Sequence, residues 1–490
     1  MSQTPIHYSR FYLTVWNAAL AAGLGCLLAL GAPWSARELC TAATDGVRSE
    51  GCSSSRGPER PGPTVVAPPP QSKSFSTAPR VSAAANTFCC LAPCREQTHM
   101  NNQKTNPSGA ATSSVAALQA APAPTVSASL PTTADPVLHD DKPVTNMMGF
   151  WFKHAYVALN NFVNKSLSNF AYNIAIGCGH GCLWCFVPET STIKQGEGLA
   201  AYGVKDPDAQ WGEYALLRTW DEKKFLSSVC AAENIPDAEL KRDGNRAIIF
   251  CSTTDGWQVI RHPDPVEQKK LNEHRRFIVR RALELIRDYS SLNVRVLTRS
   301  PLAREDFDLF KTFGPRLTFG MSLPTLNNNL AKIYEPKAPA PSQRLATLRA
   351  AKTAGLHVFV AIAPTYPECD EADLRATLTA VAELDPITVF MEPINVRAEN
   401  LARMKSHAAE IGATINTSVF ETEETWQDYA LNALHTVERL AGEVGLADVL
   451  HLWPDAALGS KDVLKRVADP VAHQGWLNRW WSRVSEWPTS

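Results

Sequence analysis

Three cysteines fall within one short run of this 490-residue chain, Cys178-Gly-His-Gly-Cys182-Leu-Trp-Cys185. A Cys-x3-Cys-x2-Cys spacing on a glycine-loosened loop gathers three thiolates, and three thiolates can hold three irons of a cubane cluster. With no fourth protein ligand close in sequence, one iron would stay open to an outside ligand. The same thiolates with His180 would make a zinc site of ordinary ligand types, although the paired CxxC knuckles usual in zinc domains are absent. On spacing alone both stand. The remaining cysteines are Cys26, Cys40, Cys52, Cys89, Cys90 and Cys94 early in the chain and Cys230, Cys251 and Cys369 later. Cys90 and Cys94 repeat the three-residue gap but lack a third partner and a supporting strand, and a chain of this length needs no disulfide staples to complete a core.

Such a loop needs a scaffold, and the surrounding sequence alternates short apolar runs with amphipathic stretches. Strands are predicted at Tyr172–Ile176, Ala247–Cys251, Val294–Thr298, Leu317–Met321, His357–Ile362 and Ile387–Met391. Helices are predicted at Glu267–Tyr289, Gln343–Ala354, Asp370–Leu384, Glu399–Ile411 and Glu424–Val444. In the first of these helices Leu271, Phe277, Ile278, Ala282, Leu285 and Ile286 share a face, and the Lys-Lys and Arg-Arg pairs lie off it. Strands joined by helical crossovers pair in parallel. Six such units predict an α/β fold, a partial (β/α)6 TIM-like barrel, with its site at the carboxyl ends of the strands. The cysteine loop follows the first predicted strand and therefore falls at that end.

Composition divides the chain. Hydrophobic residues make up 44% and charged residues 20%, and the formal net charge of −1 supplies no global field for nucleic acid or acidic membranes. The first 143 residues hold 16 of the 34 prolines. Residues 41–145, rich in Ala, Pro, Ser and Thr, are predicted to be a disordered linker because they cannot bury enough apolar surface to offset chain entropy. Within residues 1–40, the uncharged stretch Phe11–Ala32 has the length of a membrane anchor or the core of a secretory signal. Met100 offers an alternative start. Residues 165–415 would form the barrel and residues 416–490 a helical extension packed on it. In that extension Trp476, Trp480 and Val484 fall on one helical stripe, the pattern of docking, and Trp481, Trp487, Arg479 and Arg483 lie around it.

Cluster loop, preceding strand and following alternation together resemble the radical S-adenosylmethionine superfamily, with Trp184 in the aromatic place before the third cysteine. The segments Ile248–Gln258, Val294–Ala303, Thr318–Thr325, Ile333–Leu345 and Ile362–Pro367 are similar to the spore photoproduct lyase and DNA-repair-photolyase-like branch. The resemblance implies that Cys178, Cys182 and Cys185 ligate a [4Fe-4S] cluster. Its open iron would chelate S-adenosylmethionine, whose reductive cleavage yields a 5′-deoxyadenosyl radical. Trp184, Ser252, Thr253, Thr254, Asp255, Arg299, Ser322 and Arg344 are the implied cofactor-binding residues, with Glu335 as the alternative partner of Arg344. Glu392, at the end of the sixth strand, points toward the mouth. Cys251 would occupy the place of a hydrogen donor. Against that, its spacing from Asp255 turns it to the wrong face of an undistorted strand, and Trp184 and Phe186 carry no phenolic hydrogen.

The implied partners are a reduced flavodoxin- or ferredoxin-type electron donor and damaged DNA, and the implied location is cytoplasmic, with membrane contact only through the N-terminal segment. Two rival readings are radical modification of a protein, tRNA or small metabolite, and an iron–sulfur electron-transfer protein that cleaves no cofactor.

Overall fold

Strands form where the sequence is apolar on both faces. The computed structural model describes residues 147–160, 167–189, 195–397 and 399–489. The anchor or signal expected in residues 1–40 and the linker expected at 41–145 lie outside the described residues. In chain order the strands are β1 (Met148–His154), β2 (Val157–Leu159), β3 (Phe170–Tyr172), β4 (Ala175–Gly177), β5 (Ala215–Thr219) and β6 (Ala247–Phe250). They continue with β7 (Asn293–Thr298), β8 (Leu317–Ser322), β9 (His357–Thr365), β10 (Thr388–Pro393) and β11 (Leu450–Leu452). The helices that matter here are α1 (Glu222–Glu233), α2 (Pro265–Tyr289), α3 (Pro341–Thr353), α4 (Glu371–Ala382), α5 (Asn400–Glu410), α6 (Glu423–Glu443) and α7 (Pro470–Trp481).

The larger sheet has eight strands in the order β2-β3-β6-β7-β8-β9-β10-β11. Every pair is parallel except β2 with β3. From β6 to β11 the spatial order is the chain order, so each crossover adds a strand to the same growing edge. Alternate residues then divide between two faces. Val294, Val296, Phe319, Met321, Val358, Val360, Val389 and Met391 join one continuous core with buried residues of α1 to α6. Their neighbours Phe359, Ala361 and Phe390 pack with Leu297, Ala363 and Trp453 in a second cluster on the concave side. Helices on one face and side chains filling the other give the predicted partial barrel.

The barrel departs from the sequence reading in four places. The strand expected at Tyr172–Ile176 breaks at Asn173, whose side chain receives the Thr253 N–H (2.9 Å) and donates to Ser252 Oγ (3.3 Å). The part before the break enters the large sheet, and the part after it becomes β4 of a small sheet, ordered β1-β5-β4. Leu450–Leu452 forms a further parallel strand beside β10, and α6 is part of its crossover. The chain beyond residue 416 therefore completes the sheet as well as covering it. Phe277 of α2 is 47% exposed and meets the Trp220 ring edge-on.

Local chemistry sets the helix ends. Asp264 caps α2 by accepting from the Val266 N–H at 2.8 Å, with Pro265 at the first helical position. Asp469 caps α7 in the same way, accepting from Val471 and Ala472. Along α7, Trp480 is buried and Trp476 donates to Glu438 at 2.7 Å. Further on, Trp487 donates to the Pro315 carbonyl at 2.9 Å and lays its ring 5.0 Å from the Arg295 guanidinium. Phe359 and Phe390 complete an aromatic cage around Arg295, a fully buried residue of β7.

Candidate functional site

The cysteine loop leaves β4 at Gly177, where φ is +85° and an added Cβ would stand 2.3 Å from the Tyr214 carbonyl oxygen. Only glycine fits a left-handed residue that close to backbone. Three segments then hold the loop through its backbone. Thr254 Oγ1 donates to the Gly177 carbonyl (2.7 Å), and Gln258 accepts from the Gly179 N–H (2.5 Å) while donating to Thr254 Oγ1 (2.8 Å). The Leu183 N–H donates to the Tyr334 carbonyl at 3.0 Å. From α5, Asn400 donates to the Trp184 carbonyl (3.1 Å), and Arg403 donates to the carbonyls of Leu183 (3.0 Å) and Cys185 (2.7 Å).

So held, Cys178, Cys182 and Cys185 line one cavity of about 460 Å³. Its walls come from the carboxyl ends of the barrel strands. Cys251 to Asp255 follow β6, Arg299 follows β7, Ser322 ends β8, Ala363 and Pro364 belong to β9, and Glu392 belongs to β10. The volume suits a small organic ligand. Trp184, Ser252, Thr253, Thr254, Asp255, Arg299 and Ser322 are all in that wall. Arg344 is not. It is wholly buried behind the wall, paired with Glu335 and donating to the carbonyls of Pro339 (2.8 Å) and Ser322 (3.1 Å). Its place at the start of α3 demanded an anionic partner, and Glu335 supplies it.

Two buried carboxylates organise this wall. Asp255 accepts from Thr298 Oγ1 (2.8 Å), the Arg299 N–H (2.9 Å) and the Trp257 N–H (2.8 Å), and it stands 3.2 Å from His180 Nε2. Burial alone would raise its pKa; the His180 contact and the backbone donors override this and hold it well below the ordinary carboxylate range. Its oxygens are thus engaged by the protein, as is the Thr254 hydroxyl. Glu335, only 3% exposed, lies between Arg344, Arg299 and the Tyr366 hydroxyl. Burial opposes its charge, but the two guanidinium groups bring its pKa down to about 2. Arg299 reaches past it to Ser322 Oγ at 2.9 Å and lies 4.7 Å from the Trp184 ring centroid.

The donor set fits an iron–sulfur cluster. All three thiols are free, and Cys178 and Cys182 are buried. Burial, reinforced by Asp255, pushes the Cys178 thiol up to about 12, and burial likewise raises Cys182 and Cys185, so a cationic centre is needed to draw out the thiolates. Among the described residues no three His, Cys, Asp or Glu side chains converge as ligands of a single ion. Three thiols serving three irons of one cubane need no such convergence. His180, the fourth ligand a zinc site would require, faces Asp255 instead.

Cys251 directly follows β6. It has a φ of +68°, and its N–H donates to the Tyr172 carbonyl at 2.9 Å. That left-handed turn ends the regular alternation of β6; Cys251 is among the residues of the cavity wall, and its Sγ lies beside Gly256 and Val279 in the core under α2. Burial, reinforced by Asp255, raises its pKa far above the usual thiol range and keeps it protonated. Gln258, Asn400 and Arg403 carried no sequence signal for their part in the loop. The Arg403 contacts span 218 and 220 residues, and no local pattern encodes such a reach.

No family model matches the chain. An uncharacterised protein of Acidianus two-tailed virus is 30% identical over 255 residues, covering 50% of this chain and 74% of the viral one. An uncharacterised protein of Methanocaldococcus jannaschii is 22% identical over 274 residues, covering 56% of this chain and 87% of its own. Among solved structures, spore photoproduct lyase complexed with dinucleoside spore photoproduct aligns with a TM-score of 0.42 at 15% identity. That alignment covers 60% of this chain and 79% of the lyase.

Proposed function

We propose, for a chain that belongs to the family of the uncharacterised Acidianus two-tailed virus protein, that it is a radical S-adenosylmethionine enzyme. One observation carries this reading: three free thiols of a single loop share a cavity with Arg299, Ser322 and the residues after β6 at the carboxyl ends of a parallel barrel. Cys178, Cys182 and Cys185 would hold a [4Fe-4S] cluster, which would supply one-electron reductive cleavage of S-adenosylmethionine and so radical chemistry on a substrate hydrogen.

The chain's own residues bind and orient. Arg299, fixed between Glu335 and Ser322, offers its guanidinium to the methionyl carboxylate. Ser252 and Thr253 stand at the β6 end to satisfy remaining polar groups of the ligand. Asp255 acts one step back, holding Thr298 and the Arg299 backbone in place. Trp184 packs on Arg299 and limits its motion. The protonated Cys251 thiol is the residue we assign as hydrogen donor to the product radical, a role supported by its strained backbone and its place in the wall.

For substrate we assign a cross-linked pyrimidine pair in DNA, on the strength of the five segments that resemble the photolyase-like branch. Free cysteines at all six described positions suit a reducing cytoplasm, where a flavodoxin- or ferredoxin-type protein would supply the electron. No helix among the described residues is long and apolar enough to cross a membrane.

The test is anaerobic reconstitution of the full chain, reduction with dithionite, and chromatography for 5′-deoxyadenosine. Product is expected from the native chain and none from Cys182→Ala; cleavage retained in that variant would overturn the assignment. Consumption of a cross-linked dinucleotide in the same assay supports the DNA substrate, whereas cofactor cleavage without its consumption points to a protein, tRNA or metabolite. A reduced four-iron cluster that never yields 5′-deoxyadenosine would leave the electron-transfer reading.

A further inference from the structure

Arg403 and Asp208 form a pair behind the cysteine loop that no cofactor-contact role explains. Neither residue lines the cavity. The Arg403 side chain is only 8% exposed, and its guanidinium is divided between the carbonyls of Leu183 and Cys185 and the Asp208 carboxylate. Asp208 also receives the Glu399 N–H at 3.1 Å, just ahead of α5. Asn400, one turn before Arg403 on the same helix, donates to the Trp184 carbonyl. Carbonyls 183, 184 and 185 are therefore all held by the first turn of α5.

Carbonyl groups alone could be held by neutral amides, as Asn400 does. A buried guanidinium is a costly choice for that task, and its charge is felt at the third thiol, since Arg403 and Cys185 influence each other electrostatically. Its ion-pair partner is Asp208, and Asp206 adds a second negative charge nearby. A cation next to a ligand sulfur stabilises the more negative, reduced state of an iron–sulfur cluster, and an anion does the opposite.

We propose that Arg403 is a positioning residue for the cysteine loop whose charge also raises the reduction potential of the cluster, with Asp208 as the opposing weight. This rests on the cluster assigned above. The pair is thereby a setting for how readily the centre accepts its electron, separate from the groups that bind the cofactor.

The experiment is a dye-mediated potentiometric titration of the reconstituted full chain, followed by electron paramagnetic resonance, with iron counted per chain. Arg403→Gln is expected to move the midpoint to more negative potential and Asp208→Asn to more positive potential. The double variant should return toward the native value, and Arg403→Lys should restore most of the shift seen in Arg403→Gln. Midpoints equal to the native value in both single variants would overturn the proposal. So would loss of iron with an unmoved midpoint in the remaining cluster, which marks a purely mechanical brace. A native chain that takes up no four-iron cluster fails earlier, at the functional reading itself, and is told apart by its iron content.

Discussion

A methyl group built on Gly181 would lie 2.9 Å from the Gly212 Cα, and one on Gly212 only 2.6 Å from the Gly181 Cα. The two glycines let the cysteine loop touch the turn before β5, and both have positive φ. Gly181→Ala carries about 1–2 kcal/mol of left-handed strain plus the backbone clash. It should lower both the melting temperature and the iron retained after reconstitution; an alanine variant that loads iron like the native chain would refute this. At this scale the sequence was informative where spacing is local. The three cysteines, singled out by their spacing, and Arg299 and Ser322, singled out by the resemblance, line one cavity. It was silent on Gln258, Asn400 and Arg403, whose partners lie far away in the chain, and on the left-handed backbone of Cys251, which strict alternation does not foresee.

Elements follow the same logic of length. The β7 to β10 strands and helices α2 to α6 were legible because each runs long enough to repeat its apolar period. Three-residue strands such as β2, β4 and β11 contain too few residues to show one, so their existence depends on a neighbour's open edge. Within β7, alternation places Arg295 inside the barrel, where it is fully buried, donates to Ser485 Oγ at 3.3 Å and has no partner for Nε or Nη1. Burial lowers its pKa to about 9. Cation–π contacts with its aromatic cage return about 2 kcal/mol, against a desolvation penalty of several kcal/mol for an unpaired ion. Arg295→Met should therefore melt at or above the native temperature in a calorimeter. A marked fall would mean that the cage outweighs desolvation.

Across the whole molecule, stability should fall on the acid side in two stages. His451 faces Arg295 and Arg483 across the barrel interior; burial first, and then those cations, lower its pKa from 6.5 to about 4. The unfolded chain thus binds a proton that the folded chain refuses, so this contribution is complete above pH 6.5 and lost as pH falls toward 4. It amounts to about 3 kcal/mol. Glu335 adds a second stage of the same sign, present above its ordinary value of 4.5 and lost as pH falls toward 2. Urea unfolding at pH 7, 5.5 and 4 should trace the first stage, and His451→Asn should flatten it. A native chain equally stable at pH 7 and pH 4 would contradict the account.

The long reach from Arg403 back to Leu183 also sets a schedule for the ribosome. Chains are made from the amino end and fold as their elements emerge. The cysteine loop leaves the exit tunnel 220 residues before the guanidinium that holds it, and Trp487, which closes the cage on Arg295, comes later still. A nascent chain therefore carries the carbonyls of Leu183 and Cys185 without this brace while some 220 further residues are made. Under the function proposed above, delivery of a cluster would meet a more open loop during translation, which α5 then closes from behind.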